Sequence, residues 1–241
     1  ARDSKIPLHV LNHFATFEAP WGRWRHQCYL GWKRLMWRWL VGGAHVVKRV
    51  LDIVGSGCAL IGLAPMFGTI ALLIKLEDRG PVLFRQVRVG RHGREFRMLK
   101  FRSMRIDAEA RLQELLAKNQ HQGGVTFKIK DDPRVTRIGK WIRKFSADEL
   151  PQFWNVFRGE MSLVGPRPPV PREVALYTLA DRRRLAVKPG ITGMAQVSGR
   201  SGLDFEDEVK LDVYYIENWS LWLDIKLIFR SVGVVLKADG E

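Results

Sequence analysis

IVGSGCALIGLAPMFGTIALLI, residues 53–74, is the stretch on which the fold turns. It runs for 22 positions without a charge. About 20 apolar residues suffice for a helix to cross a bilayer. Pro65 interrupts the run near its middle, where it removes a backbone donor and kinks a helix. Both flanks are basic: Lys48 and Arg49 before, Lys75, Arg79, Arg85 and Arg88 after. Positive charge favours the cytoplasmic side, so both ends belong on the same side. A helix, a break and a second helix satisfy both flanks. Each half would have about 9–12 residues, or roughly 14–18 Å at 1.5 Å per residue. Neither half then crosses about 30 Å of hydrocarbon alone. The reading is a re-entrant hairpin that dips into one leaflet, with a kinked spanning helix as the alternative.

Upstream lies a segment, residues 1–44, in which Trp21, Trp24, Trp32, Trp37 and Trp39 alternate with Arg and Lys. Trp32, Leu35, Met36, Trp39 and Leu40 follow the spacing of one apolar helical face. Such a helix suits a membrane interface, or it packs as an ordinary surface helix. The chain carries 40 Lys and Arg against 25 Asp and Glu, a net charge of +15 spread along its length. That excess bears on anionic partners, not on fold. The two cysteines, Cys28 and Cys58, make no disulfide framework or metal site, and Cys58 reads as a small packing residue.

Downstream the chain is mixed. Val82–Arg85 and Glu95–Phe101 read as short strands around a Gly90–Gly93 turn. Helices are expected over Asp107–Lys118, Arg137–Arg143, Asp148–Arg158 and near Arg172–Arg184. Asn119–Asp132 reads as a loop. Gly165-Pro166-Arg167-Pro168-Pro169 excludes regular helix or central strand. Trp219–Leu236 contains Asp224, Lys226 and Arg230 and reads as an amphipathic helix lying on the membrane.

Within this part, Ser146-Ala147-Asp148-Glu149-Leu150-Pro151 holds the one adjacent acidic pair of chemical interest. Its spacing fits a capping box between Ser146 and Glu149, or an N-cap at Asp148. It also fits paired carboxylates, one attacking phosphorus and one holding a hard cation. Like charges repel, so the second reading needs cations nearby. Arg143, Lys144 and the proline-flanked Arg167 are candidates, as are Arg88, Lys100 and Arg102 on the expected strands. There is no phosphate-binding loop of the GxxxxGK[ST] kind, no metal-ligand spacing among the six histidines, and no nucleic-acid recognition motif. A non-catalytic adaptor that binds anionic lipid or nucleic acid through basic patches is the competing class.

Several strings occur in a fixed order. They begin with Lys48-Arg49-Val50-Leu51-Asp52 before the proline-broken run, then Phe84–Gly90 and Met98–Met104. Asp132–Thr136, Ser146–Phe153, Asn155-Val156 and Gly159–Pro168 follow. Lys188–Gly193, Ala195–Arg200, Asp212–Tyr215 and Trp219–Lys226 close the series. Together these blocks resemble the monotopic phosphoglycosyl transferases, the bacterial sugar transferases that start glycan assembly on polyprenyl phosphate. Two departures are small: Ala64 precedes Pro65 where Ser is usual, and Ala147 precedes the acidic pair where Leu is usual.

The resemblance implies transfer of a sugar 1-phosphate from a UDP-sugar to polyprenyl (undecaprenyl) phosphate, with release of UMP. Asp148 would be the nucleophile that forms a phosphosugar–aspartate. Glu149 with Asp148 would hold Mg²⁺, or Mn²⁺ in its place. Arg88, Lys100, Arg143 and Arg167 match positions near the phosphates. Gln196, Arg200, Asp212, Tyr214 and Asp224 fall in matching blocks, although Asp224 equally suits a local pair. The expected fold is α+β: a mostly helical, membrane-associated domain with a small strand pair. Its membrane helix breaks at Pro65, and interfacial amphipathic helices flank it. The expected organisation is an interfacial or linker segment at 1–44, the hairpin at 45–79 and a catalytic domain at 80–241. The expected partners are nucleotide sugar, lipid phosphate and membrane lipids, without nucleic acid, in a homodimer. The expected location is the bacterial inner membrane, with the catalytic domain facing the cytoplasm.

Overall fold

The computed structural model describes residues 42–108, 132–199 and 203–236. The helix expected around Trp32–Leu40, most of the helix expected at Asp107–Lys118, most of the loop expected at Asn119–Asp132, and Arg200 lie outside the described residues. Residues Lys48–Glu241 form one compact unit, which includes the apolar run.

That run is two helices, α1 (Gly42–Gly62) and α2 (Ala64–Asp78), bent by 59° where they meet. Pro65 occupies the first turn of α2, where its missing N–H costs nothing to α2 but ends the hydrogen-bond ladder of α1. No single helix among the described residues is long and apolar enough to cross a membrane, whereas the bent pair is, by length and composition. Both arms are longer than the sequence reading allowed. The α2 arm alone has 15 residues, about 22 Å at 1.5 Å each. Apolar side chains stay exposed at the bend and along both arms: Ile61 is 79% exposed, and Met66 near it and Val54 and Leu72 farther out are exposed as well. Cys58, expected to pack, is exposed on α1. Past the bend, Phe67, Ile70 and Ile74 return to the body and share a core with Phe101, Ile142 and Ala147.

The lower half of α1 is fastened by polar groups. Asp52 is buried, and its Oδ1 accepts from Ser162 Oγ (3.0 Å) and Leu163 N (2.9 Å). Lys48 Nζ donates to Asp224 (2.6 Å) and to the Val164 carbonyl (3.0 Å). Arg49 donates to the Val156 and Phe157 carbonyls. Lys48 and Arg49, expected as part of a basic flank, are also internal partners, because positions 48, 49 and 52 fall within one stripe of the helix, about 100° wide, that meets the body.

After α2, strands β1 (Leu83–Val89) and β2 (Glu95–Phe101) pair antiparallel, with Phe84 opposite Lys100 and Arg88 opposite Phe96. The first strand is longer than expected and continues to the Gly90–Gly93 turn. Side chains alternate across this hairpin, so Gln86, Arg88, Met98 and Lys100 share one face. Arg85, Arg97, Leu99 and Phe101 share the other. The free edge of β2 is covered by Asn155, which accepts from Leu99 N and donates to the Arg97 carbonyl.

Helix α3 (Arg137–Lys144) starts at Thr136, whose hydroxyl accepts from Gly139 N. Glu77 of α2 caps the same end by accepting from Arg137 N. The helix expected at Asp148–Arg158 is divided. A 3₁₀ turn covers Ala147–Glu149, and α4 (Gln152–Arg158) begins only after Pro151. The helix expected near Arg172–Arg184 is also divided, into α5 (Pro171–Ala175) and a 3₁₀ segment, Asp181–Ala186. Thr178 and Asp181 exchange side-chain and backbone hydrogen bonds there, which compete with a helical ladder.

A second strand pair escaped the sequence reading. Strands β3 (Ser162–Val164) and β4 (Gly190–Thr192) are parallel, and residues 165–189 form the crossover between them. Helices α6 (Met194–Ser198), α7 (Phe205–Glu217) and α8 (Leu221–Leu236) follow. Val164, Val197, Tyr215 and Leu227 make their shared core. On α8, Trp222, Lys226, Phe229 and Arg230 are exposed, an amphipathic outer face as expected.

Candidate active site

Asp148 and Glu149 occupy the 3₁₀ turn between α3 and α4. Neither caps a helix. Ser146 sits in the left-handed region (φ +53°) and makes no side-chain cap, so the capping-box reading fails here. A non-glycine residue in that region is strained, and such strain is held only where surrounding structure enforces it. Ala147 anchors the turn in the core beside Phe101 and Ile142. The Asp148 residue is 8% exposed, while the Glu149 side chain is more open.

The hairpin supplies the cation that adjacent carboxylates require. Lys100 Nζ lies 2.7 Å from Glu149 Oε1 and 3.8 Å from Asp148 Oδ2. Arg143 of α3 is held by Ser103, to whose hydroxyl its Nε donates at 2.8 Å, and its charge also acts on Asp148. Burial still dominates, and it raises the Asp148 carboxyl above the usual aspartate range. Lys100 opposes that shift and the Glu149 charge adds to it. Burial likewise lowers Arg143.

Arg88 is buried on the same hairpin face as Lys100. Its guanidinium donates twice to Gln86 Oε1 and once, at 2.8 Å, to the Pro168 carbonyl. Val89 N donates to the Pro169 carbonyl, so the Pro-Arg-Pro-Pro segment runs along the outer edge of β1. That placement brings Arg167 close enough to act on Arg88. Burial first, and Arg167 second, lower Arg88 to about 10. Gln86 was missed in the sequence, although period-two spacing from Arg88 carries the signal.

The remaining expected residues separate into two groups. Asp212, 1% exposed on α7, pairs through Oδ2 with Arg184, while its Oδ1 is buried without a hydrogen-bond partner. Burial pushes Asp212 up to about 6 against the pull of Arg184, and Arg167 acts on it as well. Arg184 also donates to the Tyr177 hydroxyl, and it carried no signal in the sequence reading. The Gln196 Oε1 atom on α6 is likewise buried without a partner. Tyr214 is exposed on α7, on a different face from Asp212. Asp224 is held in a closed network with Lys48, the Tyr215 hydroxyl (2.7 Å) and Trp219 Nε1 (3.1 Å). Its carboxylate links α1 to α8 through Lys48, a long-range pair in place of the local one that the sequence offered.

Among the described residues no three His, Cys, Asp or Glu side chains group to cage a metal. Two adjacent hard carboxylates nevertheless suit an ion such as Mg²⁺, which typically takes one or two carboxylates and completes its shell with phosphate and water. Chemically, the arrangement offers a buried carboxylate, a neighbouring carboxylate and several cations.

That sequence order belongs to a known class: residues 43–238 match the bacterial sugar transferase family, and the chain belongs to it. It is 53% identical over 199 residues to "Galactosyl transferase CpsE" of Streptococcus agalactiae serotype III (strain NEM316), covering 81% of this chain and 43% of that protein. It is 46% identical over 198 residues to the "Undecaprenyl-phosphate galactose phosphotransferase" of Salmonella typhimurium, covering 80% and 41%. It is 40% identical over 204 residues to "Exopolysaccharide production protein ExoY" of Sinorhizobium fredii, covering 83% and 89%. The chain thus spans less than half the length of the first two relatives and most of the third.

Proposed function

We propose that this chain is a phosphoglycosyl transferase that moves a sugar 1-phosphate from a UDP-sugar to polyprenyl phosphate, the first membrane step of surface-polysaccharide assembly. The observation that carries the reading is the buried Asp148 beside Glu149, with Lys100 reaching both carboxylates. A carboxylate oxygen of Asp148 attacks the β-phosphorus of the donor. The bond from that phosphorus to the bridging oxygen breaks, and UMP leaves with the oxygen. An oxygen of the lipid phosphate then attacks the phosphosugar–aspartate, freeing Asp148 and yielding the polyprenyl diphosphate sugar. Two half-reactions through one covalent intermediate predict ping-pong kinetics.

Phosphoryl transfer depends on positioning and charge neutralisation. Lys100, Arg143, Arg88 and Arg167 are the cations placed for it. Magnesium bound by Glu149 with Asp148 would add neutralisation of the phosphate oxygens.

The same proposal places the bent pair α1–α2 in one leaflet of the bacterial inner membrane, with the body on the cytoplasmic face. Its support is the unpacked apolar bend around Ile61, and the exposed Trp222 and Phe229 on α8. A lipid phosphate then lies at the depth of the site. The test mixes the full chain with a UDP-sugar, polyprenyl phosphate and Mg²⁺ and follows UMP. Wild type releases UMP and accumulates a phosphosugar adduct when the acceptor is omitted. Asp148→Asn does neither. Wild-type turnover in that variant would remove Asp148 as nucleophile.

A further inference from the structure

A cavity of about 340 Å³ lies away from the acidic pair, on the opposite face of the β1–β2 hairpin from Lys100 and Arg88. Arg85, Arg97 and Leu99 of the hairpin line it, with Trp154 and Arg158 of α4 and Glu160. Its floor is rigid. Asn155 is 1% exposed, with its amide oxygen on Leu99 N and its amide nitrogen on the Arg97 carbonyl and Glu160 Oε2.

The charge around the cavity is unbalanced. Three guanidiniums face one carboxylate, and that carboxylate already accepts from Asn155. Arg158 Nε is 4.0 Å from Glu160. The Arg85 and Arg97 guanidiniums make no hydrogen bond or ion pair among the described residues, and both side chains are exposed. Forked, unpaired guanidiniums around a concavity of ligand size suit a phosphate group.

The surroundings indicate which phosphate. Leu99 and Arg97 share their hairpin face with Phe101, whose ring packs against Phe67 of α2 with centroids 5.6 Å apart. On the other side, Trp154 stacks on Phe157, and both rings are exposed. The Phe157 ring in turn lies 3.7 Å from the Cβ position at Gly57 of α1. Each arm of the apolar hairpin therefore touches a residue next to the cavity lining, α2 through Phe101 and α1 through Phe157, although neither arm lines the cavity itself. An exposed Trp–Phe stack beside arginines is the composition of a membrane–water boundary.

We infer that this cavity binds the phosphate of an anionic phospholipid headgroup, through Arg85, Arg97 and Arg158, at a site separate from the reaction centre. The inference rests on the membrane reading above. Occupation would fix how the body sits over the bilayer, and so the height of Asp148 above the lipid phosphate.

The test compares full-length wild type, Arg85→Gln/Arg97→Gln, and a control, Arg94→Gln/Arg182→Gln, which removes the same charge elsewhere. Each is partitioned onto vesicles of phosphatidylcholine alone and of phosphatidylcholine with one-third phosphatidylglycerol. The cavity variant is expected to lose about tenfold in partition onto the anionic vesicles, with binding to neutral vesicles kept. The control keeps both, and UMP release in detergent is unchanged in all three. Equal losses in the cavity variant and the control would mean diffuse charge and overturn the site. Relief of anionic-vesicle binding by millimolar inorganic phosphate in wild type would indicate a free-phosphate site and overturn the lipid assignment. A raised KM for polyprenyl phosphate in the cavity variant would make this the acceptor site and overturn the separation. Failure of wild type to bind either vesicle would overturn the membrane reading, and this inference with it.

Discussion

The carboxylate of Asp52 accepts a 3.0 Å hydrogen bond from the hydroxyl of Ser162, and both groups are buried. One end of this bond is on the apolar helix α1 and the other on strand β3. The same Asp52 oxygen accepts from Leu163 N. Asp52→Ala therefore orphans a buried donor and a partly buried one and should cost about 3 kcal/mol. Ser162→Ala, which removes one donor and leaves Asp52 one partner, should cost about 1 kcal/mol. Urea unfolding midpoints check both. Equal effects would mean that the bond does not fasten the helix.

Lys48 and Asp224 make a second fastening. Removing only Lys48 leaves the Asp224 carboxylate buried with Tyr215 and Trp219, so Lys48→Met should cost about 3–5 kcal/mol. Lys48→Met/Asp224→Asn should recover part of that loss, because no uncompensated charge remains. A double-mutant cycle reads the coupling.

The pH dependence has a definite sign. In the proposed reaction Asp148 attacks in its ionised form, and burial raises its carboxyl. The acid limb of UMP release therefore lies above the range of an ordinary aspartate. Lys100 opposes the shift and Glu149 adds to it. Lys100→Met should move the limb to higher pH, and Glu149→Gln should move it to lower pH. A pH–rate profile in which both limbs stay in place would show that neither charge acts on the nucleophile.

Gly165 and Gly68 should respond oppositely to a methyl group. A Cβ at Gly165 would lie 2.4 Å from the Lys188 carbonyl oxygen, where the crossover returns to β4. A Cβ at Gly68 meets nothing within 4 Å on exposed α2. Gly165→Ala should separate β3 from β4, displace the Arg167 loop and unfold or inactivate the chain. Gly68→Ala should raise stability by about 0.5–1 kcal/mol. Thermal unfolding of the two variants tests the contrast.

Ile61 stands at the bend, 79% exposed. Ile61→Asp should leave the circular dichroism and UMP release in detergent unchanged. It should lower partition onto neutral vesicles by tenfold or more, since an aspartate at membrane depth costs about 2.5–3.5 kcal/mol. Unchanged partition would remove the bend from the bilayer.

Much of the fold was legible because local rules carried it. The proline-broken apolar run, the hairpin strands and the final amphipathic helix have period or punctuation signals of their own. The parallel pair β3–β4 did not, because each strand has three residues and its partner lies across a crossover. The site was legible mainly through the order of its sequence blocks. By spacing, Ser146 and Glu149 made a sound capping box, and only the fold places Ser146 in the left-handed region and turns Glu149 to Lys100.

For residues 53–74, the local run of amino acids was enough to show that a helix breaks near Pro65, because a missing N–H is a property of the residue. It also determined that the flanks would be basic. Tertiary structure alone decided what those charges do. Lys48 meets Asp224, 176 residues away, and Arg49 meets the end of α4. Lys100 likewise reaches a carboxylate 49 residues along. Such contacts depend on which faces the packed elements turn to one another, and no local pattern records them.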